Sequence, residues 1–171
     1  GLESDGLHSN GFSLVRKIIK NLNLNYEAPS PFRKNCTLGL SLLAPTRIYV
    51  KACLNALNKN LIKGLAHITG GGLIENIPRV LPNNKSVIID AKSWKKQSVF
   101  SWIKNTSEID NIEMLRTFNC GIGMIAIVSP ENINETISVF KENGERPFCI
   151  GHVTDDIKSS KFNFLNLNSK W

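Results

Sequence analysis

The sequence predicts a layered α+β domain (α/β/α) with a mixed β-sheet. Segments with apolar residues at helical spacing alternate with short runs rich in apolar and β-branched residues, without strict β-α-β regularity. The last two of these runs, 148–153 and 162–167, have no helical segment between them, which favours α+β over a doubly wound sheet. With 171 residues, 42% of them apolar and 20% charged, the chain can bury a core, and we assign residues 1–171 to one domain.

The first predicted element is a helix over 9–22. Its apolar residues recur at the spacing of one helix face, and Ser9 or Asn10 offers a side-chain oxygen to the exposed amides of the first turn. Residues 23–35 hold two prolines and several asparagines, so this stretch is predicted to be a loop.

In the middle of the chain, the sequence predicts a helical region, a strand and a short helix. The helical region follows the loop, breaks at Pro45 and resumes through Leu57. Residues 61–69 are predicted to form a buried strand that runs into three glycines. Residues 73–80 suit a short helix that Pro78 limits.

The remaining elements continue this alternation. A strand is predicted over 86–89, helices over 99–104 and 109–118, and an apolar strand over 123–128. A helix over 129–143 begins with serine at the cap and proline in the first turn, and a glycine ends it.

The net charge is +7, from 21 Lys and Arg against 14 Asp and Glu, and it favours anionic partners. The basic residues are scattered, however, and no aromatic residues interleave with them as in a base-stacking platform. A solvated lysine-rich surface is the favoured interpretation, and no nucleic-acid partner is predicted. No apolar run approaches the roughly 20 residues that span a bilayer, so no membrane association is predicted either.

The cysteine and histidine spacing predicts neither disulfides nor a metal site. The cysteines form no C-x-x-C pair and no dense pattern, which predicts reduced thiols in a cytoplasmic protein. The three histidines are equally spread, so no metal ligand set is predicted in this chain. The cysteines are Cys36, Cys53, Cys120 and Cys149.

A first candidate motif, Gly-Leu-His-Ser-Asn-Gly at residues 6–11, stands immediately before the first helix. Amides at a helix N-terminus favour anions, and His8 can act as an acid or base near neutral pH. A simple cap with a solvent-facing histidine explains the same spacing equally well.

A second motif ends the predicted strand 61–69 with Thr69, Gly70, Gly71 and Gly72. Consecutive glycines allow a ligand to approach the backbone, although a plain turn is the alternative. The spacing matches neither the Walker pattern nor the dinucleotide fingerprint. Two polar residues one helical turn apart follow the glycines and could face a phosphate: Asn76 and Arg79.

A third motif, Thr-Phe-Asn-Cys-Gly-Ile-Gly at residues 117–123, contains Asn119 and Gly121 and suggests tight backbone packing or a second ligand edge. Arg47 is a further phosphate candidate because guanidinium matches phosphate oxygens in a fork, although a surface arginine is as good an explanation. Spacing alone therefore predicts a phosphate-binding domain of unknown purpose.

Four stretches occur in a distinctive order. They are residues 6–17 (Gly-Leu-His-Ser-Asn-Gly-Phe-Ser-Leu-Val-Arg-Lys), 43–51 (Leu-Ala-Pro-Thr-Arg-Ile-Tyr-Val-Lys), 66–82 (Ala-His-Ile-Thr-Gly-Gly-Gly, continuing to Glu-Asn-Ile-Pro-Arg-Val-Leu-Pro) and 116–124 (Arg-Thr-Phe-Asn-Cys-Gly-Ile-Gly-Met). Together they resemble the C-terminal half of the phosphoribosylformylglycinamidine cyclo-ligases, also called aminoimidazole ribonucleotide synthetases. The resemblance covers almost the whole chain, and the order of its landmarks makes it specific.

The resemblance implies a partly ferredoxin-like fold and an ATP-dependent ring closure. The family converts formylglycinamidine ribonucleotide to aminoimidazole ribonucleotide in purine synthesis. Phosphorylation of the formamide oxygen makes it a good leaving group, and the amidine nitrogen then attacks the activated carbon. Two sources of catalysis are expected. The enzyme would hold both ends of one substrate in the reacting orientation, and hydrogen-bond donors would spread the charge of the phosphate.

The resemblance also implies roles for individual residues. His8 matches a family histidine near the reacting centre, with an acid–base or charge-stabilising role, and Ser9 and Asn10 would orient it or bind substrate. The glycine loop would approach substrate or phosphate with its backbone amides. These binding positions are Arg47, Thr69, Gly70, Gly71, Gly72, Asn76, Arg79, Asn119 and Gly121.

One departure from the family is larger than any substitution. The family's N-terminal domain, with its Asp-Gly-Val-Gly-Thr-Lys segment for ATP and Mg²⁺, has no counterpart here, so this chain is interpreted as a C-terminal fragment. The resemblance implies that ATP and Mg²⁺ bind mainly to that domain and that this chain alone is inactive. It also implies a homodimer in the full-length enzyme, formed largely by the nucleotide domains.

Three alternatives remain open. The chain could belong to another enzyme of the same two-domain superfamily: formylglycinamidine ribonucleotide synthetase, selenophosphate synthetase or thiamine-phosphate kinase. It could also be a non-catalytic phosphate-binding module, although a docking surface would not need His8, Asn10 and three glycines. Nucleic-acid binding ranks third.

Overall fold

A computed structural model describes residues 1–155 and 161–168. Seven α-helices and six β-strands occur in these residues. The helices are α1 (Phe12–Asn21), α2 (Leu38–Leu42), α3 (Val50–Asn58), α4 (Gly72–Asn76), α5 (Ser98–Thr106), α6 (Asn111–Thr117) and α7 (Ile133–Glu142). The strands are β1 (Leu2–Glu3), β2 (Ile62–His67), β3 (Ser86–Asp90), β4 (Ile122–Val128), β5 (Gly151–Thr154) and β6 (Phe162–Leu165).

The α+β class predicted from the sequence is confirmed, and the strands form two three-stranded sheets. The first has the order β1-β4-β2 and is antiparallel throughout. The second has the order β5-β3-β6, with β3 antiparallel to β5 and parallel to β6. The mixed pairing is therefore present, but in one of two sheets within the described residues rather than in a single continuous sheet.

The layered arrangement follows from the alternation of side chains along β4. Ile125 and Ile127 pack into the larger core, to which α1, α4, α5 and α6 contribute. Met124 and Ala126 pack on the opposite face, against a smaller core built from α3 and α7. Both faces of β4 are thus apolar, and helices cover the first sheet on both sides.

Most predicted elements are confirmed with shifted ends, but three details are wrong. β2 is largely half-exposed and only Ala66 is buried, because β2 lies at the edge of its sheet. The strand expected from residue 148 begins at Gly151. β1 was not predicted, since two residues are too short to show an alternation.

The predicted cap of α1 is wrong, whereas the predicted bounds of α7 are largely confirmed. The residue before α1 is Gly11, at φ 72°, and no side chain caps this helix. Asn10 instead donates its amide to the carbonyl of Ile68. Ser129 precedes a 3₁₀ turn over Pro130–Asn132 that leads into α7, with proline in the first turn as predicted, but its side chain makes no cap hydrogen bond. Asn143 follows the last residue of α7, and the predicted stop, Gly144, has φ 80°.

No helix in the described part of the chain is long and apolar enough to cross a membrane.

Candidate functional site

The structure brings the first two sequence motifs together. Asn10 donates its side-chain amide to the carbonyl of Ile68 at 3.2 Å, directly before the glycine loop. The amide of Ile68 in turn donates to the carbonyl of Gly123 on β4 at 2.9 Å. The exposed hydroxyl of Ser9 lies 3.5 Å from that of Thr46. The segment that carries His8 therefore lies against the end of β2, the start of β4 and the turn before α3.

His8 is buried and has an unusual backbone conformation, with φ 56°. Its Nε2 accepts hydrogen bonds from the amides of Asp5 at 3.1 Å and Arg47 at 3.4 Å. Because Nε2 is an acceptor, the neutral ring carries its proton on Nδ1. Nδ1 is buried and has no hydrogen-bond partner in the described part of the chain. A buried donor without a hydrogen-bond partner lowers the stability of the fold, so its presence here points to a functional role.

The surroundings of His8 keep the ring neutral. Burial lowers the pKa of His8 below its usual 6.5, and the nearby charges of His67 and Arg47 lower it further, against an opposing effect of Asp5. At pH 7 the group is therefore a hydrogen-bond donor through Nδ1–H rather than an imidazolium.

Tyr49 and Gly123 complete the wall of the His8 pocket. The Tyr49 ring lies 6.4 Å from the His8 ring, and its hydroxyl donates to the carbonyl of Glu3 at 2.8 Å. A Cβ on Gly123 would lie 2.1 Å from the Tyr49 oxygen and 2.8 Å from His8 Cε1. Glycine is therefore required at this position of β4 for the two rings to approach the sheet.

Arg47 is engaged in ion pairs. Its Nε donates to Glu145 at 2.8 Å and its Nη1 to Asp5 at 2.8 Å, while Nη2 donates to the carbonyl of Gly144. The Glu145 side chain is only 5% exposed, so removal of Arg47 would leave a buried charge without its partner. Arg47 thus connects residue 5 to the chain at the end of α7. The phosphate-binding role of Arg47 stays a prediction.

The glycine loop is folded around Asn76. The Asn76 amide donates to the carbonyls of Gly70 at 3.2 Å and Gly72 at 2.8 Å, and its oxygen accepts from the Thr69 hydroxyl at 3.3 Å. The same oxygen accepts from Arg79 Nη1 at 3.2 Å. Asn76 is buried, so it shapes the loop, while the side chain of Arg79 is 61% exposed and can reach a ligand.

The three glycines of the loop differ in what surrounds them. Gly71 and Gly72 have φ 94° and 57°, and a Cβ on Gly72 would lie 2.1 Å from the carbonyl oxygen of Leu115. Gly70 is exposed, has no positive φ, and would place a Cβ in open space. Gly72 is therefore a packing glycine, whereas Gly70 leaves backbone open to a ligand.

Asn119 is fully buried, and its side chain fixes the backbone of the segment that leads to His8. Its amide donates to the carbonyls of Gly6 at 2.9 Å and Leu7 at 3.2 Å. Its oxygen accepts from the Ser4 hydroxyl at 2.9 Å and the Gly121 amide at 2.8 Å. These four bonds use every donor and acceptor site of the side chain. Asn119 thus acts through the loops it positions, and Gly121, at φ 99°, lies in the same network.

Sequence reasoning missed three residues of this site: Asp5, Tyr49 and Glu145. Gly123 belongs to the motif at 117–123, for which tight backbone packing was one of two predictions, and it packs closely against Tyr49 and His8. No three His, Cys, Asp or Glu side chains are grouped as a metal site requires within residues 1–155 and 161–168. The carboxylate of Asp5, whose charge acts on His8, is paired with Arg47, and so is that of Glu145. A cavity of about 300 Å³ lies elsewhere, between β4, α7 and the chain before β5, and none of the predicted site residues lines it.

Comparisons with known proteins agree with the resemblance found in the sequence. The family described as "AIR synthase related protein, C-terminal domain" matches residues 1–161. The chain is similar to the bifunctional purine biosynthetic protein ADE1 of Schizosaccharomyces pombe, with 49% identity over 172 residues that cover 100% of this chain and 22% of that protein. It is also similar to the bifunctional purine biosynthetic protein PUR2,5 of Pichia angusta, with 50% identity over 155 residues, 91% of this chain and 20% of that protein. The chain thus spans about a fifth of the length of these relatives.

Proposed function

The chain belongs to the family of AIR synthase related proteins, as their C-terminal domain, and on this premise we propose that it supplies one half of the site that closes the ring of formylglycinamidine ribonucleotide to aminoimidazole ribonucleotide. The names of the two yeast relatives place those proteins in purine biosynthesis. The observation that carries the proposal is the junction of the His8 segment with the glycine loop through Asn10 and Ile68.

The described residues supply positioning and hydrogen bonding. Neutral His8 offers an Nδ1–H donor that no group of the described chain uses, and such a donor suits an oxygen that gains negative charge during the reaction. Because Nδ1 is covered, His8 reaches substrate only if the surrounding loops move. Thr69 and Gly70 are exposed at the other side of the junction, where backbone groups suit a phosphate-bearing substrate.

ATP, when bound to the complete site, would supply the phosphoryl group that turns the formamide oxygen into a leaving group. Mg²⁺ does not fit the described residues, because they group no three potential metal ligands and the carboxylates that contact Arg47, Asp5 and Glu145, are already paired with it. We therefore derive no step of this chain through the metal. We propose that ATP and Mg²⁺ bind to a nucleotide-binding domain outside this chain, and that the 171 residues alone are inactive.

An apolar surface beside the site supports the proposal of a partner domain. Val50, Leu54 and Leu57 form one stripe of α3 at helical spacing and are 61%, 51% and 41% exposed. Ile48, next to Arg47, is 81% exposed. Exposed apolar residues that lie together mark interaction sites. We propose that the nucleotide-binding domain covers this surface and that full-length subunits pair through that domain. We also propose that the protein is cytoplasmic, in agreement with its four free cysteines.

Reconstitution tests the function. The chain is mixed with a separately expressed nucleotide-binding half of the family, ATP and formylglycinamidine ribonucleotide, and ADP and the aminoimidazole product are measured. We expect turnover in the mixture and none with the chain alone. Turnover only with the substrates of the sibling enzymes, or by the chain alone, would refute the proposal.

His8→Gln in the same mixture tests the role of His8. The glutamine oxygen can replace Nε2 as acceptor for the amides of Asp5 and Arg47, but glutamine cannot restore the Nδ1–H donor in the same position. We expect kcat to fall by about 10²-fold or more, with a Tm close to that of the parent chain. His152→Gln is the matched control, since His152 is exposed on β5, which belongs to the second sheet. Full activity of His8→Gln would show that His8 only holds the loops.

A further inference from the structure

The imidazole of His8 is held through one of its two nitrogens, and both bonds to that nitrogen come from backbone amides. Nε2 accepts from the amide of Asp5 at 3.1 Å and from the amide of Arg47 at 3.4 Å. The first bond is local, whereas the second joins residues that are 39 positions apart. In a neutral imidazole, the hydrogen bond that one nitrogen makes decides which nitrogen carries the proton. Two donors at Nε2 therefore exclude the Nε2–H tautomer as long as both amides stay in place.

The two residues that supply these amides are also joined by their side chains. Nη1 of Arg47 donates to Oδ1 of Asp5 at 2.8 Å. Residues 5, 8 and 47 thus contact one another pairwise, through one ion pair and two bonds to the same imidazole nitrogen. Because the ion pair holds residue 47 beside residue 5, it also holds the Arg47 amide within reach of Nε2.

Glu145 fixes the other side of the guanidinium. Its carboxylate accepts from Nε of Arg47 at 2.8 Å, and the carbonyl of Gly144 accepts from Nη2 at 2.8 Å. The side chain of Glu145 is 5% exposed, against 44% for Asp5. The buried bond to Glu145 therefore anchors Arg47 to the chain after α7, and the more exposed bond to Asp5 joins the His8 segment to this anchor.

The backbone around His8 needs such outside contacts. His8 has φ 56°, a conformation that a residue with a side chain keeps only where its surroundings impose it. Asn119 holds the segment on one side through the carbonyls of Gly6 and Leu7. Arg47 holds it on the other side, at the imidazole itself and at the Asp5 carboxylate.

We propose that the ion pairs of Arg47 with Asp5 and Glu145, here called the Arg47 bridge, fix the tautomer of His8. Asp5 and Glu145 are then positioning residues that act through backbone amides, and neither carboxylate has to touch substrate. The bridge leaves the proton on Nδ1, which has no partner within the described residues. The inference rests on the proposed function only in its last step, in which this Nδ1–H donor stabilises negative charge on the substrate.

The tautomer is measurable on the chain alone, without substrate. Long-range ¹H–¹⁵N spectra at about pH 8, where the imidazole is neutral, give the ¹⁵N shifts of both ring nitrogens and hence the ratio of the two tautomers. We expect the Nδ1–H form of His8 to dominate in the parent chain. In Asp5→Ala the Arg47 amide is no longer held at Nε2, so the ratio should fall by about fivefold or more, the effect of one lost hydrogen bond. His152, exposed on β5, is an internal reference whose shifts should not change.

Three further variants complete the test. Asp5→Glu keeps a carboxylate that can still pair with Arg47 and should retain most of the parent ratio. Glu135→Ala is the matched control, because it removes an exposed ion pair with Lys59 on α7 and should leave the ratio unchanged. Should Asp5→Ala fail to fold, Asp5→Asn carries the same test, since it keeps an oxygen acceptor but loses the charge that strengthens the bond. A ratio below that of the parent is expected for it.

Activity in the reconstituted enzyme separates this inference from the proposed function. We expect kcat of Asp5→Ala to fall together with the Nδ1–H fraction of His8, with little change in KM. An unchanged tautomer ratio in the Asp5 variant, or an equal change in Glu135→Ala, would overturn the proposal whatever the enzyme does. A shifted ratio with unchanged kcat would support the control of the tautomer by the bridge and count against the role of the donor in the proposed reaction.

Discussion

Asn119→Ala is expected to unfold the chain at a temperature about 10 °C lower than the parent. The substitution removes four hydrogen bonds from a fully buried side chain. It leaves the carbonyls of Gly6 and Leu7 and the amide of Gly121 without this partner. Unpaired buried groups of this kind cost about 3–5 kcal/mol together, and each kcal/mol lowers Tm by about 2–4 °C in a chain of this size. Calorimetry of both chains measures the effect.

The matched control is Asn134→Ala. Asn134 lies exposed in α7, where alanine is a better helix former, so its Tm should stay within about 2 °C of the parent. Equal Tm values for the two variants would show that the network around Asn119 is not needed for stability. The carbonyls that Asn119 holds belong to residues 6 and 7, directly before His8, so loss of stability should be accompanied by loss of turnover in the reconstituted enzyme.

The helices and longer strands could be predicted from the sequence because their apolar residues recur with the period of the element. α1 shows three buried residues at helical spacing, Val15, Ile18 and Ile19, and β4 shows an apolar run. β1 could not be predicted in this way. Its two residues are ordered by pairing with β4 and with the chain at 146–148, more than 100 residues away.

The candidate site was only partly predictable for a similar reason. Glycine and histidine motifs are visible as short patterns, but their contacts are not. The pairing of Arg47 with Glu145, 98 residues later, could not be predicted from the sequence, and the phosphate-binding role of Arg47 stays a prediction. Asn119 was predicted as a binding residue from the family resemblance, whereas its burial depends on the fold of residues 4–7 around it. Side-chain accessibility is a tertiary property, and motif spacing does not contain it.

Gly72→Ala and Gly70→Ala are expected to separate the two functions of the glycine loop. In Gly72→Ala the new Cβ would lie 2.1 Å from the carbonyl oxygen of Leu115, at a φ of 57°. A backbone oxygen cannot rotate away, so α4 must move from the end of α6. We expect a loss of about 3 kcal/mol or more, from overpacking and backbone strain, and a Tm lower by about 6–12 °C.

Gly70→Ala should leave the Tm within about 2 °C, because its Cβ meets no atom within 4 Å and its φ suits any residue. The same openness makes this variant informative in the reconstituted enzyme. If substrate approaches the backbone at Gly70, the added methyl group displaces it, and we expect KM to rise while stability is retained. An unchanged KM would place the substrate elsewhere on the loop and leave the packing role of Gly72 intact. A large drop in Tm for Gly70→Ala would instead contradict the conformation of the loop itself, because no steric reason for it exists in the described structure.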